Sequence, residues 1–293
     1  QDGNPGGYAL ALKRAVTSSL FIRAIGTLLY GVIFLWLVFT GGLALFIGVA
    51  IIAALAAYEF YALMTRGGHR PLYVIGIATA LLFVCSVYFT SRMPFPGRIL
   101  IPGLILAVVA SIVWLVVEHF RERADLGGAG RNHLRDWLLT FAGAIYTGGL
   151  LSYVLLLRSL ERGDALLAIV VFGTAACDSG AYLIGSRFGR TKFAPRISPK
   201  KTWEGTIGGF LTGVVVVVLS AWLFDLQVLP AVGMGVLLAV AVIAGDLVES
   251  IIKRSVGAKD SGTWIPAQGG ILDVIDGFLF AVVVTFYYVL LIM

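Results

Sequence analysis

The sequence predicts an all-α, polytopic integral membrane protein of about nine transmembrane helices with a cytoplasmic N-terminus. Three observations carry this. The 293-residue chain is 59% hydrophobic and 13% charged, with a mean hydropathy of +0.95, whereas soluble domains are about 45–50% apolar and about 25% charged. Its apolar residues form long continuous runs, unlike the roughly ten-residue alternating segments of a membrane β-barrel. Its basic residues fall almost wholly on one side of the spans that those runs define.

Taken in order, residues 1–19 read as a flexible lead-in and stay outside the fold. A hydrocarbon core of about 30 Å needs about 20 apolar residues per helix. Runs of that kind fall at 20–40, 43–64, 72–90, 99–117, 137–157, 165–185, 206–224, 231–252 and 272–292. The chain divides into 20–136, with four helices and a cytoplasmic loop, and 137–293, with five helices whose cytoplasmic loops carry the chemistry. Abundant Gly and Ala in the runs suits close helix contact in lipid. Cys85 and Cys177 each sit in an apolar run without paired spacing and read as packed free thiols.

With the N-terminus in the cytoplasm, 18 of the 22 Lys and Arg residues face that side, and only Arg92, Arg98, Arg158 and Arg162 face the other. Nine spans make this alternation work, so the count and the orientation support each other. The net charge of +6 then belongs to loops beside anionic lipid, not to a nucleic-acid surface.

Carboxylates inside a membrane are costly and tend to mark function. Glu59, Asp178, Asp246, Glu249, Asp273 and Asp276 all fall in the cytoplasmic half of their runs. "GDLVESIIKR" puts Asp246, Glu249, Ser250 and Lys253 on one helix face, and Asp273 and Asp276 share a face of the last helix. The loop 256–271 is short enough for these faces to meet, and hard oxygen donors completed by water and phosphate suit Mg²⁺. The plainer alternative is ion pairing with Lys253 or Arg254, for Glu59 and Glu249 above all, with Asp273 capping its helix.

A second cluster, "SRFGRTKFAPRISPKKTWEGTIGG", offers six cations and then a helix start. Ser198 or Thr202 is placed to cap that helix, whose first N–H groups favour phosphate, and Lys200 and Lys201 add point charges. The alternative is a basic interfacial loop. The glycines of "KDSGTWIPAQGG" let backbone approach phosphates, while Trp264 reads as an interfacial anchor or a base-stacking platform. There is no Walker A spacing, no dinucleotide-binding turn and no Ser-His-Asp constellation, and His69, His119 and His133 form no zinc pattern. These residues point to a metal-bound polyphosphate handled beside a lipid headgroup.

"CDSGAYLIGSRFGR", "ISPKKTWEGTIGG" and "GDLVESIIKRSVGAKDSGTWIPAQGGILDVID" resemble, in order and spacing, the motifs of the phosphatidate cytidylyltransferase (CDP-diacylglycerol synthase) family. The N-terminal helices match it in hydropathy and in "YEFYALM" alone. The resemblance implies a Mg²⁺-dependent reaction of CTP with phosphatidate in a bacterial inner membrane, with the active site facing the cytoplasm. It implies Asp246 and Asp273 as metal ligands with Asp276 close by, and Asp246, Asp273, Lys200 and Lys201 as catalytic. Ser198, Lys253, Arg254, Lys259, Asp260 and Gln268 would face nucleotide or phosphate. A second cation and a homodimer are compatible with such an enzyme. Two positions depart from the family pattern: Gln268 stands where His is usual, and Val274 where Arg is usual. The departures keep two alternatives open, a cytidylyltransferase with another lipid phosphate as acceptor and a non-catalytic relative. An ion-coupled transporter is the reading from a different class.

Overall fold

The computed structural model describes residues 29–90, 109, 133–265 and 268–293. Its helices are α1 (Leu29–Thr40), α2 (Gly42–Arg66), α3 (Tyr73–Thr90), α4 (His133–Ala144), α5 (Leu150–Arg158), α6 (Gly163–Phe188), α7 (Trp203–Leu223), α8 (Val228–Ser255) and α9 (Ile271–Ile292). A π-helical turn, Ile145–Gly149, joins α4 to α5 as one span, His133–Arg158. Among the described residues six helices are long and apolar enough to cross a membrane, and α1 and α3 are shorter apolar helices. The expected span 99–117 lies outside the described residues apart from position 109, as do residues 20–28 of the first run and the lead-in 1–19.

Expected and observed helices agree to within a few residues, because the limits follow local chemistry. α2 begins after Gly41, whose φ of 62° only glycine adopts freely. α7 begins at Thr202, whose hydroxyl accepts the Gly205 N–H at 3.2 Å, one of the two caps expected. The other, Ser198, lies in a strand. The loop before α7 forms a small antiparallel hairpin, β1 (Lys192–Ala194) and β2 (Ser198–Thr202), with Lys192 opposite Thr202 and Ala194 opposite Ser198. The all-helical expectation is corrected to that extent.

The tightest seam joins α6 to α7. A Cβ on Gly180 would lie 2.6 Å from Thr212 Oγ1, one on Gly209 2.5 Å from the Cys177 carbonyl oxygen, and one on Gly213 would strike Cys177 Sγ. Small residues let these backbones approach. Both cysteines are free, and Cys177 is packed into this seam.

The bundle has two chemically different ends. At one, the Arg158 Nε donates to the Val38 carbonyl at 3.0 Å, and the Arg162 guanidinium reaches the Phe224 carbonyl. At the other lie the C-terminal ends of α2, α6 and α8, the starts of α7 and α9, and the hairpin. A Cβ on Gly67 after α2 would lie 2.5 Å from Val256 after α8, so these turns adjoin.

Candidate active site

Two lysines organise the charged end. Lys201, at the end of β2, pairs with Asp246 of α8. Lys253 bridges two helices: it pairs with Glu249 one turn away and donates to Asp273 Oδ1 of α9 at 2.6 Å. The hairpin that carries Lys201 is pinned to the start of α7. The Glu204 carboxylate accepts the N–H groups of Arg190 and Thr191 at 3.1 Å, Thr191 O accepts the Trp203 N–H at 2.9 Å, and Phe193 packs edge-on against Trp203.

α8 and α9 cross closely where both carry glycine. A Cβ on Gly245 would lie 2.5 Å from the Asp276 carbonyl oxygen, and one on Gly277 2.9 Å from Val242. This crossing brings Asp246 and Asp276, the neighbours of those glycines, together. The carboxylates of Asp178, Asp246, Glu249 and Asp276 interact electrostatically. Asp178 is exposed and Asp246 and Asp276 are half-buried, so all three carboxylates keep solvent-accessible surface where α6, α8 and α9 meet.

Asp273 is fully engaged. Its Oδ2 accepts the Ser261 N–H and hydroxyl, each at 2.9 Å, and the Gly270 N–H at 2.7 Å, while Oδ1 takes Lys253. The Gly270 bond is the capping role expected of this residue. The cap has a distant second half. Glu59, on α2 and 2% exposed, accepts the N–H groups of Ile271 and Leu272 at 2.9 Å each and the Ser261 hydroxyl at 3.3 Å. Gly270 has no side chain to cap α9, so a carboxylate from another helix does it. Of the two glutamates for which ion pairing is the plainer alternative, Glu249 pairs with Lys253, while Glu59 caps α9.

The loop glycines serve this arrangement. A Cβ on Gly262 would lie 2.5 Å from Glu59 Oε1, and one on Gly270 2.7 Å from Glu59 Cδ. Gly269 adopts a φ of 109° against Asp273. Their close approach is to protein carboxylates, which corrects the expectation that they make room for phosphate.

The remaining expected residues divide. Arg254 is a strap, with Nε donating to the Ile197 carbonyl at 3.1 Å and Nη1 to the Ala258 carbonyl at 2.9 Å. Lys200, Lys259 and Asp260 are exposed at the same end, and Ser198 is half-buried in β2. Gln268 closes a tight turn, its N–H donating to the Ile265 carbonyl at 3.2 Å. Val274 is 37% exposed on α9. Trp264 is exposed and meets Tyr58 edge-on. Tyr146, in the π turn and singled out by no motif, lies within electrostatic reach of Asp276, Glu249, Asp246 and Asp273.

Among the described residues no group of three or more His, Cys, Asp or Glu side chains is arranged to hold a metal. The donor chemistry nevertheless fits a hard divalent cation. Asp246 and Asp276 are half-buried carboxylates that solvent still reaches, so water and phosphate can complete a shell.

A profile of the cytidylyltransferase family matches residues 21–292. The chain belongs to that family. It is 31% identical over 240 residues to the phosphatidate cytidylyltransferase of Mycobacterium bovis, covering 79% of this chain and 75% of that one. The enzyme of the same name from Haemophilus influenzae is 33% identical over 200 residues, 64% of this chain and 69% of its own. A protein of Escherichia coli, uncharacterized protein YnbB, is 30% identical over 253 residues, 82% and 77% of the two chains. The similarity thus extends well beyond the C-terminal motifs and takes in the helix that carries Glu59.

Proposed function

We propose that the chain transfers the cytidylyl group of CTP to phosphatidate, giving CDP-diacylglycerol and pyrophosphate, the activity for which its mycobacterial and Haemophilus relatives are named. The observation that carries this reading is the site itself. The Lys201–Asp246 and Lys253–Asp273 pairs meet solvent-reached carboxylates at one end of a lipid-facing bundle, on a chain of this family.

An ionised oxygen of the lipid phosphate bonds to the α-phosphorus of CTP while the bond from that phosphorus to the pyrophosphate oxygen breaks. A phosphate monoester is largely ionised at neutral pH, its second pKa being about 6, so no strong base is required. The chain positions and neutralises. Lys201, Lys253 and the exposed Lys200 are cations for the triphosphate, and Ser198, Arg254, Lys259, Asp260 and Gln268, at the same end, are the further residues assigned to nucleotide or phosphate. Asp246 and Asp276 would hold Mg²⁺, joined by Asp273 through Oδ1 once Lys253 turns to the triphosphate, and the cation would supply charge neutralisation for the triphosphate and the departing pyrophosphate. Lys201 and Lys253 occupy the carboxylates in the meantime, so polyphosphate binding trades one set of ion pairs for another.

We also propose nine spans in a bacterial inner membrane, with this end in the cytoplasm. Tyr88, near the end of α3, stacks on Phe46 near the start of α2. Asp136, at the start of α4, accepts the Arg70 N–H beyond the other end of α2. The end of α3 and the start of α4 thus lie at opposite ends of α2, which supports nine as the number of spans. The concentration of Lys and Arg at the charged end supports its cytoplasmic orientation. Carboxylates gathered at one end, not at mid-bundle, argue against the transporter reading.

Purified protein given Mg²⁺, CTP and phosphatidate is expected to release pyrophosphate, and Asp273→Asn to abolish the release. A panel of lipid phosphates then identifies the acceptor. Absence of pyrophosphate release, with metal binding unaltered in Asp273→Asn, sinks the proposal.

A further inference from the structure

Tyr146 is held in an unusual way. It lies in the π turn Ile145–Gly149, inside an otherwise α-helical span. Such turns often occur at functional sites. Its ring sits between Phe60 and Phe280, with centroids 6.1 and 6.2 Å away. Phe60 follows Glu59 on α2, and Phe280 lies one turn beyond Asp276 on α9 and packs over Gly245, beside Asp246. The clamp therefore fixes the ring between the cap of α9 and the acidic crossing of α8 and α9.

Tyr146 is 9% exposed, and its buried hydroxyl has no hydrogen-bond partner among the described residues. A buried hydroxyl normally finds one. The groups around it are Asp276, Glu249, Asp246 and Asp273, all acceptors when ionised, and a phenol at neutral pH is a donor. It reaches their vicinity without bonding to any of them.

We infer that the Tyr146 hydroxyl is a further binding residue of this site, donating a hydrogen bond to an oxygen that arrives with Mg²⁺–CTP. The inference rests on the proposed function. That oxygen belongs to a phosphate or to water on the cation, and both present the same acceptor chemistry. A neutral donor suits the place, because a third lysine would compete for the carboxylates and a fifth carboxylate would repel the nucleotide. The sequence gives no sign of this role, since "GAIYTGG" reads as one more apolar stretch of a span.

The test is Tyr146→Phe in the full-length protein, which keeps the ring in its clamp. Binding of Mg²⁺ alone, of CTP alone and of Mg²⁺–CTP is read by calorimetry, with the ligand-free melting temperature alongside. Mg²⁺–CTP binding is expected to weaken about tenfold, equivalent to about 1.4 kcal/mol, with the ligand-free melting temperature unchanged. A loss that appears with Mg²⁺ alone assigns the partner as water on the cation; a loss that needs CTP assigns it as phosphate. Equal Mg²⁺–CTP binding by wild type and variant overturns the role of the hydroxyl, as does a fall in ligand-free melting temperature that accounts for the weakening. A wild type that binds no Mg²⁺–CTP overturns the proposed function beneath it.

Discussion

Replacing Glu59 by glutamine changes one oxygen of a buried carboxylate into a donor while keeping its volume. Oε1 accepts the Ile271 N–H and Oε2 accepts the Leu272 N–H and the Ser261 hydroxyl. An amide has one acceptor, so one backbone N–H must face an N–H. A hydrogen bond to a charged group contributes about 1.5–3 kcal/mol, and a negative charge at a partly buried helix N-terminus adds up to about 2 kcal/mol. The combined loss is about 4 kcal/mol, which for a chain of this size lowers the melting temperature on the order of 10 °C. Function is expected to suffer separately. Ser261 links Glu59 to Asp273, so loosening Ser261 frees the carboxylate that Lys253 holds. Thermal melts in detergent read the first effect, and steady-state kinetics well below the variant's melting point read the second. Unchanged melting together with an unchanged kcat/KM for CTP refutes the reasoning.

Gly270→Ala should reproduce much of this defect from the other side, since its Cβ would lie 2.7 Å from Glu59 Cδ; melting temperature checks it. Gly213→Ala forces a methyl onto Cys177 Sγ in the α6–α7 seam. It should cost about 1–3 kcal/mol by overpacking, and pairing it with Cys177→Ala should recover part of that loss. Lys201→Met removes the cation facing Asp246 and should raise the KM for CTP at least tenfold, with the ligand-free melting temperature little changed. Restoring Gln268→His and Val274→Arg together is expected to raise turnover; no change shows that the site works without either group.

The membrane spans were legible because hydrophobicity is a local property that a lipid environment enforces run by run. α6 through α9 accordingly match the apolar runs within a few residues. The grouping of Asp246, Glu249, Lys253, Asp273 and Asp276 was legible for the same kind of reason, since helical periodicity and a short loop limit where two faces can go. The hairpin before α7 was not, because three- and five-residue strands rich in Lys and Pro carry no apolar alternation. Glu59 announced itself as a costly buried acid, but its partners lie more than 200 residues away, and nothing in "YEFYALM" specifies them. The glycines around it were visible as exceptions and assigned to phosphate, because sequence shows that backbone comes close to something without showing to what.

The reach of Glu59 across the bundle bears on how such a protein could be taken apart. The C-terminal segment holds nearly every recognisable signature, yet one of its decisive supports is borrowed from α2, a helix far away in the chain. Grafting 137–293 onto foreign leading helices should leave two amide groups stranded in a dry interior unless the graft brings an acid at the equivalent height. Those early helices therefore answer for the start of the last one through a single acid.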